Sequence, residues 1–142
     1  MKQIIGRIDH ADFPEIGYEN VQVKIDTGAR TSAIHASRIK VVEKDGVQFL
    51  KCSLLGSRKL FTFEEFERRR VKSSNGHIQE RYLIVTTIVL FGKELKTEFT
   101  LATRADMTFP VLLGRRLLRN KFIVDVSQKD LSYSLKLTPK GK

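Results

Sequence analysis

The segment from Val21 to Ala36, VQVKIDTGARTSAIHA, places an acidic residue at the point where an apolar strand has to end. Val21, Val23 and Ile25 alternate with polar residues, which is the pattern of a strand with one buried face. Asp-Thr-Gly follows at once, and glycine suits a sharp turn of the chain. An isolated carboxylate at the end of a buried strand is costly. The segment therefore predicts a tight turn in which Asp26 is hydrogen-bonded or shares a proton with a second carboxyl.

Asp-Thr-Gly alone is ordinary turn chemistry, and an exposed turn is the simpler interpretation of three such residues. The preceding apolar strand and the following Ala29 favour a functional interpretation, in which two carboxyls lie in contact. Because like charges so close cannot both ionise, the pKa values of the two groups split and the pair can activate a water. Asp26, Thr27 and Gly28 are then the candidate catalytic residues. The Thr27 hydroxyl would hold the backbone of the turn in place, and Gly28 would let backbone amides approach the Asp26 carboxylate.

A second signature lies far along the chain, where apolar residues lead into a glycine and a short helix-like segment. With the first, it resembles the retropepsin-like aspartic peptidase family that is labelled "ATP-dependent zinc protease" and associated with RimK-type ATP-grasp ligases. The matching segments are Ile25–Ala36, Arg68–Thr87, Leu101–Leu118 and Phe122–Ser127. The resemblance covers nearly the whole chain. It implies that the structural motif around the turn consists of Ala29, Leu112, Leu113 and Gly114, with the glycine leaving room for the aspartate loop.

Turn signals recur between short β-rich segments, which is typical of an all-β barrel. Together with the resemblance, this pattern predicts one retropepsin-like domain over residues 1–142, a closed β-barrel with one short helix near the C-terminal third. Strands are predicted at Gln3–Ile8, Val21–Asp26, Arg38–Glu43, Val47–Ser53, Arg81–Phe91, Glu94–Ala102, Val111–Leu113, Phe122–Val126 and Leu131–Leu137. Helical turns are predicted at Ala33–Ser37 and Arg115–Asn120, and a break in the first strand at His10–Pro14. Hairpins are predicted at Asp45-Gly46, which lies between β-rich segments, and at Gly92-Lys93. The segment between Arg70 and Arg81 is the candidate for the flap found in many retropepsins.

The chain contains a single Asp-Thr-Gly and a single apolar-apolar-Gly element. These supply only half of a site that needs two carboxyls. The second Asp26 then has to come from another copy of the chain, because elements near a two-fold axis meet their own copies. The sequence therefore predicts a C2 homodimer as the active species.

The balance of charge is strongly basic, with 26 Lys and Arg against 16 Asp and Glu, a net charge of +10. Such a charge favours anionic partners. In the retroviral relatives an Asp usually follows DTGA and pairs with the Arg after the later glycine, whereas here Arg30 and Arg115 occupy these positions. Two cations close together call for a bridging anion. Arg30, Lys72, Arg81 and Arg115 are therefore predicted to bind substrate, and the RimK association implies an acidic peptide or a glutamylated protein.

Other functions are weighed against this one. A basic β-barrel could instead be a non-catalytic module for RNA, the ribosome or a RimK-type ligase. Nucleic acid is disfavoured because the aromatic residues are mostly Phe in apolar strands rather than an exposed stacking row. The three histidines, His10, His35 and His77, are widely spaced and lack HExxH or CxxC context, so no metal is predicted.

Cofactors and membrane contact are not expected either. The sequence contains no Walker or dinucleotide-binding glycine pattern, and any dependence on ATP would come from a partner. Cys52 is the only cysteine and lies in an apolar segment, where it is predicted to be a small core residue. No apolar segment approaches the roughly 20 residues that span a membrane, and the N-terminus lacks a signal-peptide core. A soluble cytoplasmic protein is expected.

Overall fold

The computed structural model describes residues 1–72, 76–103 and 108–138, with the backbone alone at residues 71 and 72. It confirms the predicted all-β fold. The strands are β1 (Gln3–Ile5), β2 (Ile8–Phe13), β3 (Tyr18–Ile25), β4 (Ser32–Lys44), β5 (Val47–Leu54), β6 (Leu60–Phe63), β7 (Glu67–Lys72), β8 (Ile78–Leu90), β9 (Lys93–Ala102), β10 (Val111–Leu113) and β11 (Phe122–Val124). The helices are α1 (Arg115–Leu118) and α2 (Leu131–Leu137).

Six strands close into a barrel in the order β3-β2-β8-β9-β4-β10. Closure depends on the short strand β10, which pairs in parallel with β3 on one side and antiparallel with β4 on the other. The interior is filled by alternate residues of each strand. Val23, Ile34, Ile84, Phe99 and Val111 are all at most 1% exposed. The period-2 pattern of apolar residues in β3 thus turns one face of the strand into core, as the sequence predicts.

Three strands extend the fold beyond the barrel. The second half of β4 pairs with β5, which pairs with β6, and the first half of β8 pairs with β7. Strands β1 and β11 form a separate parallel pair. The predicted hairpin at Asp45-Gly46 is confirmed, because Lys44 pairs with Val47 and both turn residues have positive φ. That combination is the two-residue turn that matches strand twist.

The second hairpin turns one residue earlier than predicted, at Phe91-Gly92 instead of Gly92-Lys93, because Leu90 pairs with Lys93. The first predicted strand is also divided differently. Its pairing is interrupted after Ile5, and β2 then continues through His10 to Phe13, where the sequence predicted a break.

Two predicted elements are wrong in type. The helical turn at Ala33–Ser37 is part of β4, since Ile34 is buried and this segment pairs with β9 and β10 at once. The strand predicted at Leu131–Leu137 is α2, which is a second short helix beside the predicted one. The carboxylate of Asp9, which is fully buried, accepts hydrogen bonds from the amides of Ser132 and Tyr133. These bonds supply acceptors for the free amides of the first helical turn.

Candidate active site

The aspartate loop, residues 26–31, connects β3 to β4 and begins with the acidic residue of Asp-Thr-Gly. The amide of Asp26 donates to the Leu113 carbonyl at 2.9 Å, and the Ala29 amide donates to the Asp26 carbonyl at 3.2 Å. The Gly28 amide donates to Oδ1 of Asp26 at 3.0 Å. Asp26 is half-buried, whereas Thr27 and Gly28 are exposed. The carboxylate is therefore held by a backbone amide in a tight turn, close to solvent.

There is little room for a side chain at either Gly28 or Gly114. A Cβ on Gly28 would lie 3.2 Å from Oδ1 of Asp26. A Cβ on Gly114 would lie 2.7 Å from the carbonyl carbon and oxygen of Thr31 and 2.9 Å from the Ala29 oxygen. The φ of Gly114 is −98°, which any residue adopts, so close approach of the loop is what requires glycine there. Leu112 and Leu113 position it by pairing with Lys24 and Ile25 of β3.

Backbone groups of the aspartate loop are bonded to the start of α1. The amides of Arg115 and Arg116 donate to the carbonyls of Ala29 and Arg30 at 2.8 Å and 3.0 Å. Nη1 of Arg115 donates to the Thr27 carbonyl at 3.0 Å. The carbonyls of Thr27, Ala29 and Arg30 therefore all accept hydrogen bonds from the start of α1. Hydrogen bonds from α1 and to β10 therefore hold the loop on one side.

The charges around the loop fall into two groups. Within the described part of the chain, neither Arg30 nor Arg115 forms an ion pair, and both are exposed. Arg116 is instead paired with Glu98 at 3.2 Å, and Glu98 also lies 3.6 Å from Arg69. Among the described residues, Arg30 and Arg115 thus have no acidic partner within ion-pair distance, while the neighbouring Arg116 is paired with Glu98.

The other two predicted substrate-binding residues lie on the β7–β8 arm, which we define as Glu67–Lys72 with Ile78–Leu83. Arg81 is half-buried, lies opposite Arg69, and donates to Oε1 of Gln79 at 3.4 Å. Lys72 pairs with Ile78, but its side chain lies outside the described residues. The tip of the predicted flap, residues 73–75, lies outside them as well.

Among the described residues, the side chains of Asp9, His10 and Asp130 lie close enough together to be considered as metal ligands. Asp9 accepts backbone hydrogen bonds from His10, Ser132 and Tyr133, and Nδ1 of His10 lies 3.0 Å from Oδ1 of Asp130. A carboxylate bonded to three amides acts as a helix cap, and it does not fit the role of a zinc ligand.

The single cysteine, Cys52, carries a thiol that could in principle act as a nucleophile. It is fully buried, and burial raises its pKa to about 11. Because the thiolate is the reactive form, Cys52 is suited to the core and not to catalysis.

Comparison with known proteins places this geometry in a family. Residues 4–134 match the RimB-like family, described as "Retropepsin-like aspartic endopeptidase RimB". The chain belongs to this family. The predicted resemblance to a retropepsin-like peptidase family is therefore confirmed.

Relatives of this RimB-like chain include much longer proteins. The chain is 39% identical over 133 residues to a probable alpha-L-glutamate ligase of Shewanella halifaxensis, and 32% identical over 130 residues to one of Desulfotalea psychrophila. These alignments cover 89% and 87% of this chain but only 29% and 28% of the ligases. The chain thus spans less than a third of the length of these relatives.

A solved structure is also similar. The crystal structure of a Legionella pneumophila protein of unknown function has a TM-score of 0.74 at 25% identity, covering 93% of this chain and 99% of that one. No helix among residues 1–72, 76–103 and 108–138 has the length and apolar character to cross a membrane.

Sequence reasoning missed two residues that support the site. Ser32 is buried, and its hydroxyl accepts the Gly114 amide at 3.1 Å. Glu98 lies between Arg69 and Arg116 and so connects the arm to α1. The polar Ser32 at the start of an apolar strand was a signal for the first. Nothing in the local sequence marks Glu98, because its partners come from distant segments.

Proposed function

We propose that this protein is an aspartic endopeptidase that acts as a homodimer on acidic or glutamate-rich peptides. The observation that carries the proposal is the half-buried Asp26 carboxylate, held by the Gly28 amide in a loop that β10 and α1 secure. Family membership supports the same chemistry. Thr27 and Gly28 complete the proposed catalytic turn, and Ala29, Leu112, Leu113 and Gly114 are the proposed structural motif.

The reaction follows from two such carboxyls in contact. In the proposed dimer, Asp26 of each copy faces the other across the axis, and the pair holds a single proton. The ionised carboxylate takes a proton from a water, whose oxygen then attacks the peptide carbonyl. The protonated carboxyl donates to the carbonyl oxygen, which gives a tetrahedral intermediate. Collapse of this intermediate, with proton transfer to the nitrogen, releases the amine and the new carboxyl group.

The substrate class rests on the cations beside this turn. Arg30 and Arg115 are exposed and form no ion pair in the described residues, so a substrate carboxylate can bridge them with charge-assisted bonds. Lys72 and Arg81 on the β7–β8 arm are proposed to contribute to the same acidic preference. Relatives that are named probable alpha-L-glutamate ligases support a glutamylated protein as substrate and a functional link to a RimK-type ligase. In this proposal the protein works in the cytoplasm, without a cofactor.

A second candidate function is a non-catalytic module that binds a RimK-type ligase. It is favoured by one observation, namely that the regions similar to this chain make up only 28–29% of proteins named as ligases. A module of this kind would contact the ligase and have no need of an ionisable group at position 26.

The test is cleavage of a glutamate-tailed peptide by wild type and by Asp26→Asn. Asn keeps the shape of the side chain but cannot share a proton, so we expect cleavage to disappear while the thermal melting temperature stays unchanged. The matched control is Asp45→Asn in the exposed β4–β5 turn, which should cleave as wild type does. Metal chelators should have no effect. Cleavage by Asp26→Asn at the wild-type rate would exclude an aspartic mechanism, and absence of cleavage by wild type would favour the binding module.

Dimerisation is tested by mixing the two proteins. When an excess of Asp26→Asn is added to wild type, exchange of subunits gives mixed dimers with one carboxyl each. Activity should then fall in proportion to the wild-type homodimer that remains, whereas addition of Asp45→Asn should not lower it. Constant activity in both mixtures, with exchange verified by labelled subunits, would contradict a shared site.

A further inference from the structure

The β7–β8 arm presents two chemically different faces, which follow from its register. Arg68 lies opposite Tyr82 and Arg70 opposite Glu80, and residues directly opposite each other in an antiparallel pair share a face. The side chains confirm this register, because the Arg68 guanidinium lies 5.7 Å from the Tyr82 ring centroid and 3.9 Å from Glu80. Arg69 and Arg81 lie opposite each other and therefore point the other way.

The face with Arg69 and Arg81 is the outer flank of the barrel. Arg69 is bonded to Glu67 at 2.9 Å and lies 3.6 Å from Glu98, and Glu98 pairs with Arg116. Arg81 donates to Gln79 on the same flank. The two arginines of this face therefore already have hydrogen-bond or ion-pair partners within the chain.

The opposite face continues the core side of β8. Ile84 is 1% exposed, and Tyr82, two residues earlier on the same face, packs against the core. Further out on this face Ile78 is 65% exposed, and the Arg68 side chain is 45% exposed. An apolar side chain, a tyrosine and two arginines therefore form an accessible strip along the arm.

This strip starts at the level of the aspartate loop. Ile84 pairs with Phe99, and Phe99 pairs with Ser32, the first residue after the loop. The pairing of β8 with β9 begins at Leu83, and the residues of β8 before Leu83 pair with β7 and extend away from the barrel. The arm thus leaves the barrel close to the layer of Ser32, the residue that follows the aspartate loop, with its core-side face bearing Arg68 and Arg70.

We infer that the core-side face of the β7–β8 arm, through Arg68 and Arg70, is the subsite that takes acidic side chains of the peptide. This inference rests on the proposed function, because it assigns the acidic preference of that same site. Glutamate carboxylates bind guanidinium groups with charge-assisted, often bidentate bonds. The methylene groups of an extended peptide would cover Ile78 and the Tyr82 ring. Glu80 is the internal competitor, since it lies on this face at the outer limit of an ion pair with Arg68.

Binding is measured in the Asp26→Asn background, so that cleavage does not interfere, by fluorescence anisotropy of a glutamate-tailed peptide and a matched glutamine peptide. Arg68→Gln and Arg70→Gln should each weaken binding of the glutamate peptide roughly three- to tenfold and leave the glutamine peptide unaffected. Glu80→Gln should act in the opposite direction and tighten binding of the glutamate peptide about two- to fivefold. Both effects should shrink at high salt, because exposed charges are screened.

Two comparisons keep the test specific. Lys93→Gln removes the same charge at the far end of β8, beyond the Phe91-Gly92 turn, and should leave the affinity unchanged. Arg81→Gln probes the outer face and should cause a smaller loss than Arg70→Gln. Equal losses for Arg70→Gln and either of these variants, or an unchanged affinity in both Arg68→Gln and Arg70→Gln, would overturn the inference. Far-ultraviolet circular dichroism verifies that each variant is folded.

The outcome also separates this inference from the proposed function. If wild type cleaves the glutamate peptide and Asp26→Asn does not, while KM is the same for wild type and Arg70→Gln, the subsite assignment fails and the peptidase stands. If neither wild type nor any variant cleaves the peptide, but Arg70→Gln and Glu80→Gln shift its affinity in opposite directions, the acidic subsite stands and the proposed peptidase activity fails.

Discussion

Replacement of Gly114 by alanine is the perturbation that most directly tests how the aspartate loop is held. The added Cβ would lie 2.7 Å from the Thr31 carbonyl, whereas ordinary contact begins at 3.4 Å. Relief therefore requires β10 and the loop to separate by about 0.7 Å, and the atoms in the way are backbone. The same movement would stretch the 2.8 Å bond from the Arg115 amide to the Ala29 carbonyl beyond hydrogen-bond range.

The cost combines overpacking, about 1–3 kcal/mol, with the weakening of one hydrogen bond, about 0.5–1.5 kcal/mol. For a chain of this size we expect Gly114→Ala to lower the melting temperature by roughly 5–15 °C. Because this separation displaces the loop that carries Asp26, kcat for the glutamate-tailed peptide should also fall. Both quantities are measured on the same preparation, by thermal unfolding followed with circular dichroism and by peptide cleavage.

Gly46→Ala is the matched control, since Gly46 has a φ of +79° and open space around its missing Cβ. It loses stability through backbone strain of about 1–2 kcal/mol, but it lies in a remote hairpin and should retain wild-type kcat per folded molecule. A Gly114→Ala protein with a melting temperature within 2 °C of wild type and full kcat would refute the close-approach argument.

Three further predictions concern residues around the core and the loop. Ser32→Ala leaves the buried Gly114 amide without its acceptor and should lower the free energy of unfolding by about 1–3 kcal/mol, measured by urea denaturation. Cys52, whose pKa burial raises to about 11, should resist alkylation at mildly alkaline pH in the native protein and react rapidly in urea; fast native labelling would contradict its burial. Hydrogen bonds from Thr87 lower the pKa of Glu15, so its stabilisation is present above the pKa of the unfolded chain and is lost as pH falls through the folded pKa. Glu15→Gln should therefore reduce the loss of stability on acidification, as followed by melting temperature against pH.

Local sequence was sufficient for elements whose residues leave few alternatives. The Asp45-Gly46 hairpin follows from two residues that tolerate positive φ between β-rich segments, and the structure confirms its register. The apolar strand ending at Asp26 also follows from period-2 alternation alone. The tight turn after it could be expected because a carboxylate at a buried strand end needs a partner, which the Gly28 amide supplies.

Tertiary structure decided the elements whose local pattern was ambiguous. The local sequence of Ala33–Ser37 is compatible with a helical turn. The segment lies between two strands whose backbone groups need partners, and pairing with them makes it a strand. Leu131–Leu137 alternates like a strand, but the buried Asp9 carboxylate offers its first amides acceptors and starts a helix.

The sequence by itself determined the all-β class, the aspartate turn and the need for glycine before Arg115. It also determined that one chain supplies a single Asp-Thr-Gly turn, because residue types and their spacing are fixed before folding. Only tertiary structure decided which side chain each arginine of the described residues meets. Arg68 and Arg69 are neighbours of identical chemistry in the sequence. The pleat of β7 turns them to opposite faces, where Arg69 meets Glu98 from β9 and Arg68 lies over Tyr82 from β8. The charge that a partner meets depends on those distant contacts, and no local pattern contains them.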